Sequence, residues 1–207
     1  MALAKTLDKL GAVNLMLSAS GETKVSTLVD DGINDTDVAQ QVLDEIIIEV
    51  LTDGWYFNTV KKTLSPDTTG RIAISDNYLR VEGGGNDYRR QLTVRDKYLY
   101  DLDNDTDQFT LPVELRVITN LDFTNIPSAM RFYIARAAAR VYQAQTKADP
   151  DIDQILFQQE IRAMERARKD NTKAGNKSWI HDSRSTTRMI SERYVRYSDD
   201  YSDSRPI

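Results

Sequence analysis

The stretch DGWYFNTVKKTLSP, residues 53–66, lies where the sequence changes from one periodicity to another. Apolar residues at helical spacing precede it, and segments with alternating apolar residues follow it. Directly after a glycine it places three consecutive aromatic residues, which carry the large apolar area that dominates protein cores and interfaces. We therefore expect Trp55, Tyr56 and Phe57 to anchor a junction between a helical part and a β part of the chain, partly as core and partly as interface.

The residues before this stretch predict two helices. Asp35 is a suitable N-cap, Asp37 lies in the first turn where the helix dipole favours negative charge, and Gly54 ends the pattern. An earlier helix ends at Gly21. The apolar stripes of the two helices comprise Leu7, Leu10, Val13 and Leu17, then Ala39, Leu43, Ile46, Ile47 and Val50. Each helix therefore has a face that must be buried.

The residues after the stretch alternate between apolar and polar types, which is typical of β-strands. Turn residues separate the segments at intervals of roughly 8 to 12 residues, which favours antiparallel hairpins over βαβ units. Pro112 cannot donate a ladder hydrogen bond, so it predicts either an edge strand or a late strand start. The alternating segments are RIAIS (71–75), YLRVE (78–82), RQLTVRD (90–96), KYLYD (97–101) and FTLPVELRVIT (109–119).

Helical spacing returns after the β segment. Pro127 fits the first turn of one helix, and Asp149 followed by Pro150 is the strongest helix start in the sequence. The small residues of ARAAAR (135–140) allow close approach between helices. The buried face of the last helix is predicted to comprise Phe157, Ile161 and Met164.

From about Lys173 the sequence is polar, rich in serine and arginine, and without apolar periodicity. Such a segment cannot bury much surface by itself, so we expect it to be extended or disordered until it binds a partner. Arginine and aromatic residues, both enriched at interface hot spots, are interleaved along it. The interface anchors predicted from this pattern are Trp179, Arg184, Arg188, Tyr194 and Arg196.

Composition limits the chemistry that the chain can perform. The 207 residues include no cysteine and one histidine, which leaves no thiol nucleophile, no disulfide and little basis for a zinc site. No segment approaches about 18 consecutive apolar residues, so we expect no membrane insertion. The net charge of −5 argues against a generic nucleic-acid binder, which carries a basic patch. We expect no cofactor.

The acidic segment DLDNDTDQF, residues 101–109, has part of a calcium-binding pattern. Counting from Asp103, Glu114 stands at the position where an EF-hand loop has its bidentate glutamate. However, Gln108 occupies the position where that loop requires glycine, and a strand pattern follows where the loop requires a helix. We therefore predict a solvated acidic hairpin loop and no metal.

Three segments resemble the tail tubular protein A family of short-tailed bacteriophages. They are AVNLMLSASGETKVSTL (12–28), GWYFNT (54–59) and the run from KYLYDLDNDTDQF to RFYIARAAARVYQ (97–143). Each segment is modest alone, but they span most of residues 10–145 in order, and the combination is fairly specific. The sequence departs from the family pattern at Ser20, where an aliphatic residue is usual, and at Tyr142, where Phe is common.

The resemblance implies a structural protein of the virion tail and not an enzyme. Members of the family form a dodecameric adaptor, or gatekeeper, ring between the portal protein and the tail nozzle (tubular protein B). The ring supports tail-fibre attachment, and genomic DNA passes through its lumen. The resemblance implies for this chain a ring closed by heterologous contacts and assembled in the host cytoplasm. A net negative charge suits a channel wall that repels phosphates.

We therefore predict an α+β subunit: a four-helix bundle from the N- and C-terminal helices, an inserted antiparallel β lobe, and an extended C-terminal arm. The expected boundaries are 1–57 and 120–172 for the bundle, 58–119 for the lobe and 173–207 for the arm. The resemblance implies that the bundle and the arm meet the portal, and that the lobe faces the nozzle and fibres.

Two other function classes stay open. The 32 acidic residues could include the paired carboxylates of a tail-associated glycan hydrolase, although nothing in the sequence singles out a pair. The arginine and aromatic residues of the C-terminal segment could form a nucleic-acid-binding module. The hydrolase predicts loss of activity when one acid is changed, and the nucleic-acid module predicts a DNA affinity that falls steeply with salt.

Overall fold

A computed structural model describes residues 6–28 and 35–182, with side chains up to residue 174. The chain divides into two compact units, Met1–Arg168 and Lys169–Ile207. The described residues form an α+β fold. Its helices are α1 (Lys9–Ala19), α2 (Asp35–Thr52), α3 (Ser128–Thr146) and α4 (Pro150–Asp182), and its strands are β1 (Thr59–Leu64), β2 (Tyr78–Gly83), β3 (Leu92–Arg95), β4 (Tyr98–Asp101) and β5 (Val113–Thr119). None of the described helices is long and apolar enough to cross a membrane.

The first three helices pack on one another around a shared hydrophobic core. The predicted apolar stripe of α2 points into this helical core. Of the predicted α1 stripe, Val13 and Leu17 are buried in the core and Leu7 packs against it, whereas Leu10 is not part of it. The helix α3 closes the core with a face of alanines and larger apolar residues. Burial of these stripes is the main term that holds the helices together, since helices of this length are marginal alone. Large side chains of the helical core include Met16, Leu17, Leu43, Leu51, Trp55, Phe123, Ile126, Met130, Ile134 and Tyr142.

Tyr142 carries a buried hydroxyl at a position where the family pattern favours phenylalanine. Its hydroxyl donates a 2.6 Å hydrogen bond to Oε2 of Glu22, which follows α1. Burial, and then the Glu22 carboxylate, raise the pKa of Tyr142 well above its usual range, so the phenol stays protonated. The departure from the family pattern is thus compensated by a partner that ties α3 to the end of α1.

The larger β-sheet is antiparallel, with the strand order β1-β5-β2. β5, the last of the described strands in the chain, is therefore the central strand of this sheet, and Val60 of β1 and Val81 of β2 both lie opposite its Val117. Pro112 stands one residue before β5 begins, which confirms the late strand start, and the edge-strand alternative for this segment is wrong. The alternation of β5 buries Val113, Leu115 and Val117 in a second hydrophobic core, the β core.

β3 and β4 form a separate hairpin, and the predicted RIAIS strand lies against β4 without becoming a strand. The Ile74 N–H donates to the Lys97 carbonyl (2.9 Å), and the Leu99 N–H donates to the Ile72 carbonyl (2.9 Å). Turns on both sides leave room for only a single bridge, one of them held by the positive φ of Gly70. The alternating apolar residues of this segment are nevertheless buried, because Ile72 and Ile74 both pack in the β core.

The acidic hairpin after β4 is organised by one buried carboxylate. Asp101 is fully buried, and its Oδ2 atom accepts hydrogen bonds from Arg90 Nη2 (2.5 Å) and Asn104 Nδ2 (2.9 Å). Its Oδ1 atom accepts from the Asp103 and Asn104 backbone N–H groups. Burial would raise the pKa of Asp101, but the hydrogen bonds from Arg90 and Asn104 outweigh burial and hold its pKa below the ordinary value.

The helix α4 begins as the sequence predicts and buries a different face. Asp149 Oδ1 accepts the Asp151 N–H (2.9 Å) and the Ile152 N–H (3.2 Å), which caps the first turn. The prediction that Phe157, Ile161 and Met164 are buried is wrong: Phe157 is 41% exposed, and the other two are half-buried. The buried residues are Leu156, Ala163 and Ala167, because small side chains suit the face that approaches its neighbours.

Polar side chains join α4 to α3. Arg136 donates to Gln159, and Arg140 pairs with Asp153 (2.7 Å) and Glu160 (3.3 Å). Among the side chains of α4 up to residue 174, only Ala167 belongs to the helical core. The four-helix bundle therefore stays a prediction as far as its fourth member is concerned.

The C-terminal segment differs from its predicted conformation over its first ten residues. The helix α4 continues to Asp182, so residues 173–182 are helical and not extended. The polar composition from Lys173 onward does not end the helix, although Gly175, Asn176 and Ser178 are weaker helix formers than alanine. Residues 183–207 lie outside the described residues.

We expect Asp101→Asn to lower the free energy of unfolding by roughly 2 kcal/mol at pH 7, because the variant loses charge-assisted hydrogen bonds to Arg90. The lowered folded pKa of Asp101 means that its stabilisation is present above the unfolded pKa of about 3.9 and is lost as pH falls through the folded value. The difference between the variant and the wild type should therefore shrink below about pH 4. Urea unfolding followed by circular dichroism at pH 7 and pH 3 measures both quantities.

The matched control is Asp122→Asn, which removes an exposed carboxylate outside the β hairpin. Its effect should stay within about 0.5 kcal/mol at both pH values. Equal effects of the two substitutions at pH 7 would contradict the structural role of Asp101.

Candidate functional site

The aromatic triplet divides between core and surface at the junction of α2 and β1. Trp55 is 8% exposed, belongs to the helical core, and donates its indole N–H to the Val50 carbonyl (2.7 Å). Phe57 packs half-buried against the same core. Tyr56 is 46% exposed and meets Phe57 edge to face, with ring centroids 5.4 Å apart. An interface role for this triplet stays a prediction.

Asn58 fixes this junction, a role that the sequence pattern did not predict. It is fully buried, and its Oδ1 atom accepts the Trp55 N–H (2.7 Å). Its Nδ2 group donates to the Leu51 carbonyl at the end of α2 (2.9 Å) and to the Thr119 carbonyl at the end of β5 (3.1 Å). One side chain thus joins the last turn of a helix to the central strand of the sheet. Its place within the GWYFNT segment was the available signal.

Gly54 is required at the same junction for two reasons. Its φ of +80° lies in the left-handed region, which a residue with a Cβ adopts only with strain. A Cβ at this position would also lie 2.6 Å from Ile118 Cδ1, well inside van der Waals contact. The chain can therefore leave α2 and enter β1 closely packed on β5 only with glycine here.

A second candidate site is a basic groove of about 280 Å³ between α3 and α4. Its cations are Arg136 of α3 and Arg162 and Arg166 of α4, and Phe132 adds an exposed ring. Within the described residues, none of these arginines forms a salt bridge, and Arg136 hydrogen-bonds the neutral amide of Gln159. Burial lowers the pKa of Arg136, as expected for a half-buried cation without a carboxylate partner.

The groove between α2, α3 and α4 has the opposite character. Glu49, Asp153 and Glu160 line it together with Arg140 and the Tyr133 ring. Arg140 is satisfied by Asp153 and Glu160, whose hydrogen bonds raise its pKa. Burial first, and then the Glu160 charge, raise the pKa of Tyr133. The surface on the α2 side of α4 is therefore acidic, whereas the groove lined by α3 and α4 alone is basic.

The predicted portal anchors fall mostly outside the described residues. Trp179 lies on α4 beyond residue 174, so its position on a helix is described and its side-chain contacts are not. Arg184, Arg188, Tyr194 and Arg196 lie in residues 183–207, which the structure does not describe. No local sequence pattern indicates the groove that Arg162 and Arg166 form with Arg136.

The acidic hairpin does not assemble a cluster that could hold a metal. Asp101 is the one fully buried aspartate of that segment, and its oxygens accept hydrogen bonds from Arg90, Asn104 and backbone N–H groups. Across residues 6–28 and 35–182, no group of three or more acidic or histidine side chains is arranged to bind a metal ion.

Comparison with known proteins identifies the class to which this fold and these surfaces belong. The model of the tail tubular protein family matches residues 10–177. The chain is also 32% identical to tail tubular protein A of Klebsiella phage KP34 over 137 residues, which are 66% of this chain and 72% of that relative. The class is that of the structural proteins of bacteriophage tails.

Within that class, the chain belongs to the tail tubular protein family. It is therefore a component of a virion tail, which assembles with other virion proteins. The resemblance drawn from the three sequence segments is confirmed by both matches.

We expect Asn58→Ala to lower the free energy of unfolding by roughly 2 to 4 kcal/mol, because it removes the acceptor of the buried Trp55 N–H and one donor each from the Leu51 and Thr119 carbonyls. The control Asn125→Ala removes an exposed side chain and should change stability by less than about 0.5 kcal/mol. Denaturant unfolding followed by tryptophan fluorescence reports on the junction directly. Comparable losses in the two variants would contradict the central role of Asn58.

Proposed function

We propose that the chain is a subunit of the adaptor ring that joins the portal protein to the tail nozzle. The observation that carries the proposal is the family match over residues 10–177, which takes in the helical core, the β core and most of α4. In this proposal twelve copies close into a gatekeeper ring, assembled in the host cytoplasm, and genomic DNA passes through the lumen during ejection without sequence-specific binding.

The proposed orientation follows the division between the two cores. The helical surface and the C-terminal arm meet the portal, and the β lobe meets the nozzle (tubular protein B) and the tail fibres. The junction at Asn58 supports this arrangement, because a fixed connection transmits position from one partner surface to the other. The arm contacts rest on the sequence pattern of Trp179, Arg184 and Arg188.

Two carboxylates with a lowered pKa have structural partners within the chain. Hydrogen bonds from the Thr69 side chain and the Arg71 N–H lower the pKa of Asp67. The pKa of Asp101 is lowered as well, by Arg90 and Asn104. A glycosidase needs a general acid whose pKa is raised, so neither Asp67 nor Asp101 suits that role.

We expect the purified chain, alone or after mixing with the portal protein of its phage, to form an assembly of about twelve times the chain mass of 23.6 kDa. Heterologous contacts that close give a ring of defined size and not a distribution of lengths. Native mass spectrometry and light scattering provide the mass. A chain that stays monomeric in both conditions would contradict the proposal and would make glycan hydrolysis and DNA binding the next assays.

The arm is tested by a truncation that respects the helix. Because α4 ends at Asp182, deleting residues 183–207 leaves every described element intact. We expect the truncated chain to show an unchanged circular dichroism spectrum and no stable complex with the portal, measured by co-sedimentation. A truncated chain that binds the portal as the full chain does would remove the arm from the proposal.

A further inference from the structure

We propose that the basic groove between α3 and α4 receives the acidic outer face of α2 from a neighbouring copy of this chain. The inference rests on the proposed ring and names the contact that closes it. The contact is heterologous, because one copy supplies the groove and the next supplies the helix face. Contacts of this type generate rings, whereas a self-complementary patch generates dimers.

The groove has the chemistry of a carboxylate acceptor. Arg136, Arg162 and Arg166 face a common space, and among the described residues no carboxylate forms a salt bridge with them. Arginine is the side chain best suited to bidentate pairing with a carboxylate. The neutral Gln159 amide holds Arg136 in place without neutralising it.

The groove also offers an apolar surface beside its charges. Phe132 is 45% exposed, and Ala129 and Ala163 line the same space. A cavity of about 150 Å³ is enough to hold a benzene molecule, so a groove of about 280 Å³ can accept about two side chains from one helical turn. The fitting partner is therefore a helix face on which an apolar residue lies beside an acid.

The outer face of α2 carries that pattern. Glu45 lies three residues before Ile48 and four before Glu49, so its side chain has Ile48 on one side and Glu49 on the other. Both glutamates are exposed, and Ile48 is 47% exposed although it lies in the middle of a packed helix. An exposed isoleucine beside an acid complements an exposed phenylalanine beside arginines.

One copy presents both surfaces, but the structure keeps them from meeting within it. The basic groove is lined by α3 and α4 alone, and the α2 side of α4 is occupied by Asp153 and Glu160. Glu49 lines the acidic groove on that side, together with Tyr133 and Arg140. Glu49 and the arginines of the basic groove therefore belong to different grooves of one copy, and a second copy can satisfy both.

A second copy fits the groove better than a nucleic acid does. A nucleic-acid binder spreads its cations along a track of phosphates, and these three arginines converge on one short groove in a chain of net charge −5. Phe132 gives the groove an apolar contact besides its charges. The acidic face of α2 supplies both kinds of contact.

Charge reversal on each surface tests the contact. One variant carries Arg162→Glu and Arg166→Glu, and the other carries Glu45→Arg and Glu49→Arg. Each alone should reduce the wild-type assembly to monomer or weaken it at least about 100-fold, because like charges then face each other. An equal mixture should assemble again with alternating subunits, and so should the chain that carries all four substitutions.

The matched control reverses two exposed lysines away from both surfaces, Lys62→Glu and Lys147→Glu, and should assemble as the wild type does. Circular dichroism and the melting temperature establish that each variant is folded. Wild-type assembly with either reversal variant would overturn the inference and leave the proposed ring standing. A wild-type chain that never assembles, alone or with the portal, would overturn both.

Three further outcomes would assign the groove to another occupant and overturn the inference. The first is loss of assembly in a single reversal variant without recovery in the mixture or in the four-substitution chain. The second is unchanged assembly with a lost mobility shift of single- or double-stranded DNA, which would indicate nucleic acid. The third is a reversal effect that disappears when residues 183–207 are deleted, which would indicate the acidic residues of the C-terminal segment of the chain itself.

Discussion

The hydrogen bonds of Asn58 are the constraint on which the arrangement of the two cores depends. Its side chain is shared between the last turn of α2 and the end of β5, and its backbone carbonyl accepts the Thr119 N–H (2.9 Å). These atoms are buried, so each polar group needs its partner there. Gly54 permits the approach, because any Cβ would collide with Ile118. The connection is thus specific in both polarity and shape.

This constraint makes the β segment an insertion in the physical sense. The chain enters the sheet after Asn58 and leaves it after Thr119, and the two residues are hydrogen-bonded to each other. Variation within the loops of the segment can therefore leave the helices undisturbed, which suits a lobe exposed to partners. The sheet is also non-local, because β5 must pair with both β1 and β2 before the β core forms, and non-local pairing slows folding.

The two grooves beside α4 differ in charge, so the subunit has two different surfaces, as head-to-tail contacts in a ring require. Asp153 and Glu160 face the α2 side, and Arg162 and Arg166 face the basic groove. Within the acidic groove the charges are largely compensated by Arg140, whereas no salt bridge among the described residues compensates the basic groove. Paired charges contribute to one copy, and unpaired ones favour contact with another.

The sequence by itself determined the family, the α+β class, the capped start of α4 and the antiparallel alternation, because caps, prolines and periodicity act within a few residues. Only the tertiary structure decided which face of α4 is buried. Ala163 and Ala167 are buried there, whereas the larger and more apolar Phe157 is exposed, because small side chains allow a close approach. It alone decided the role of Asn58, whose partners lie 7 and 61 residues away. The basic groove likewise joins two helices, and no local pattern encodes that proximity.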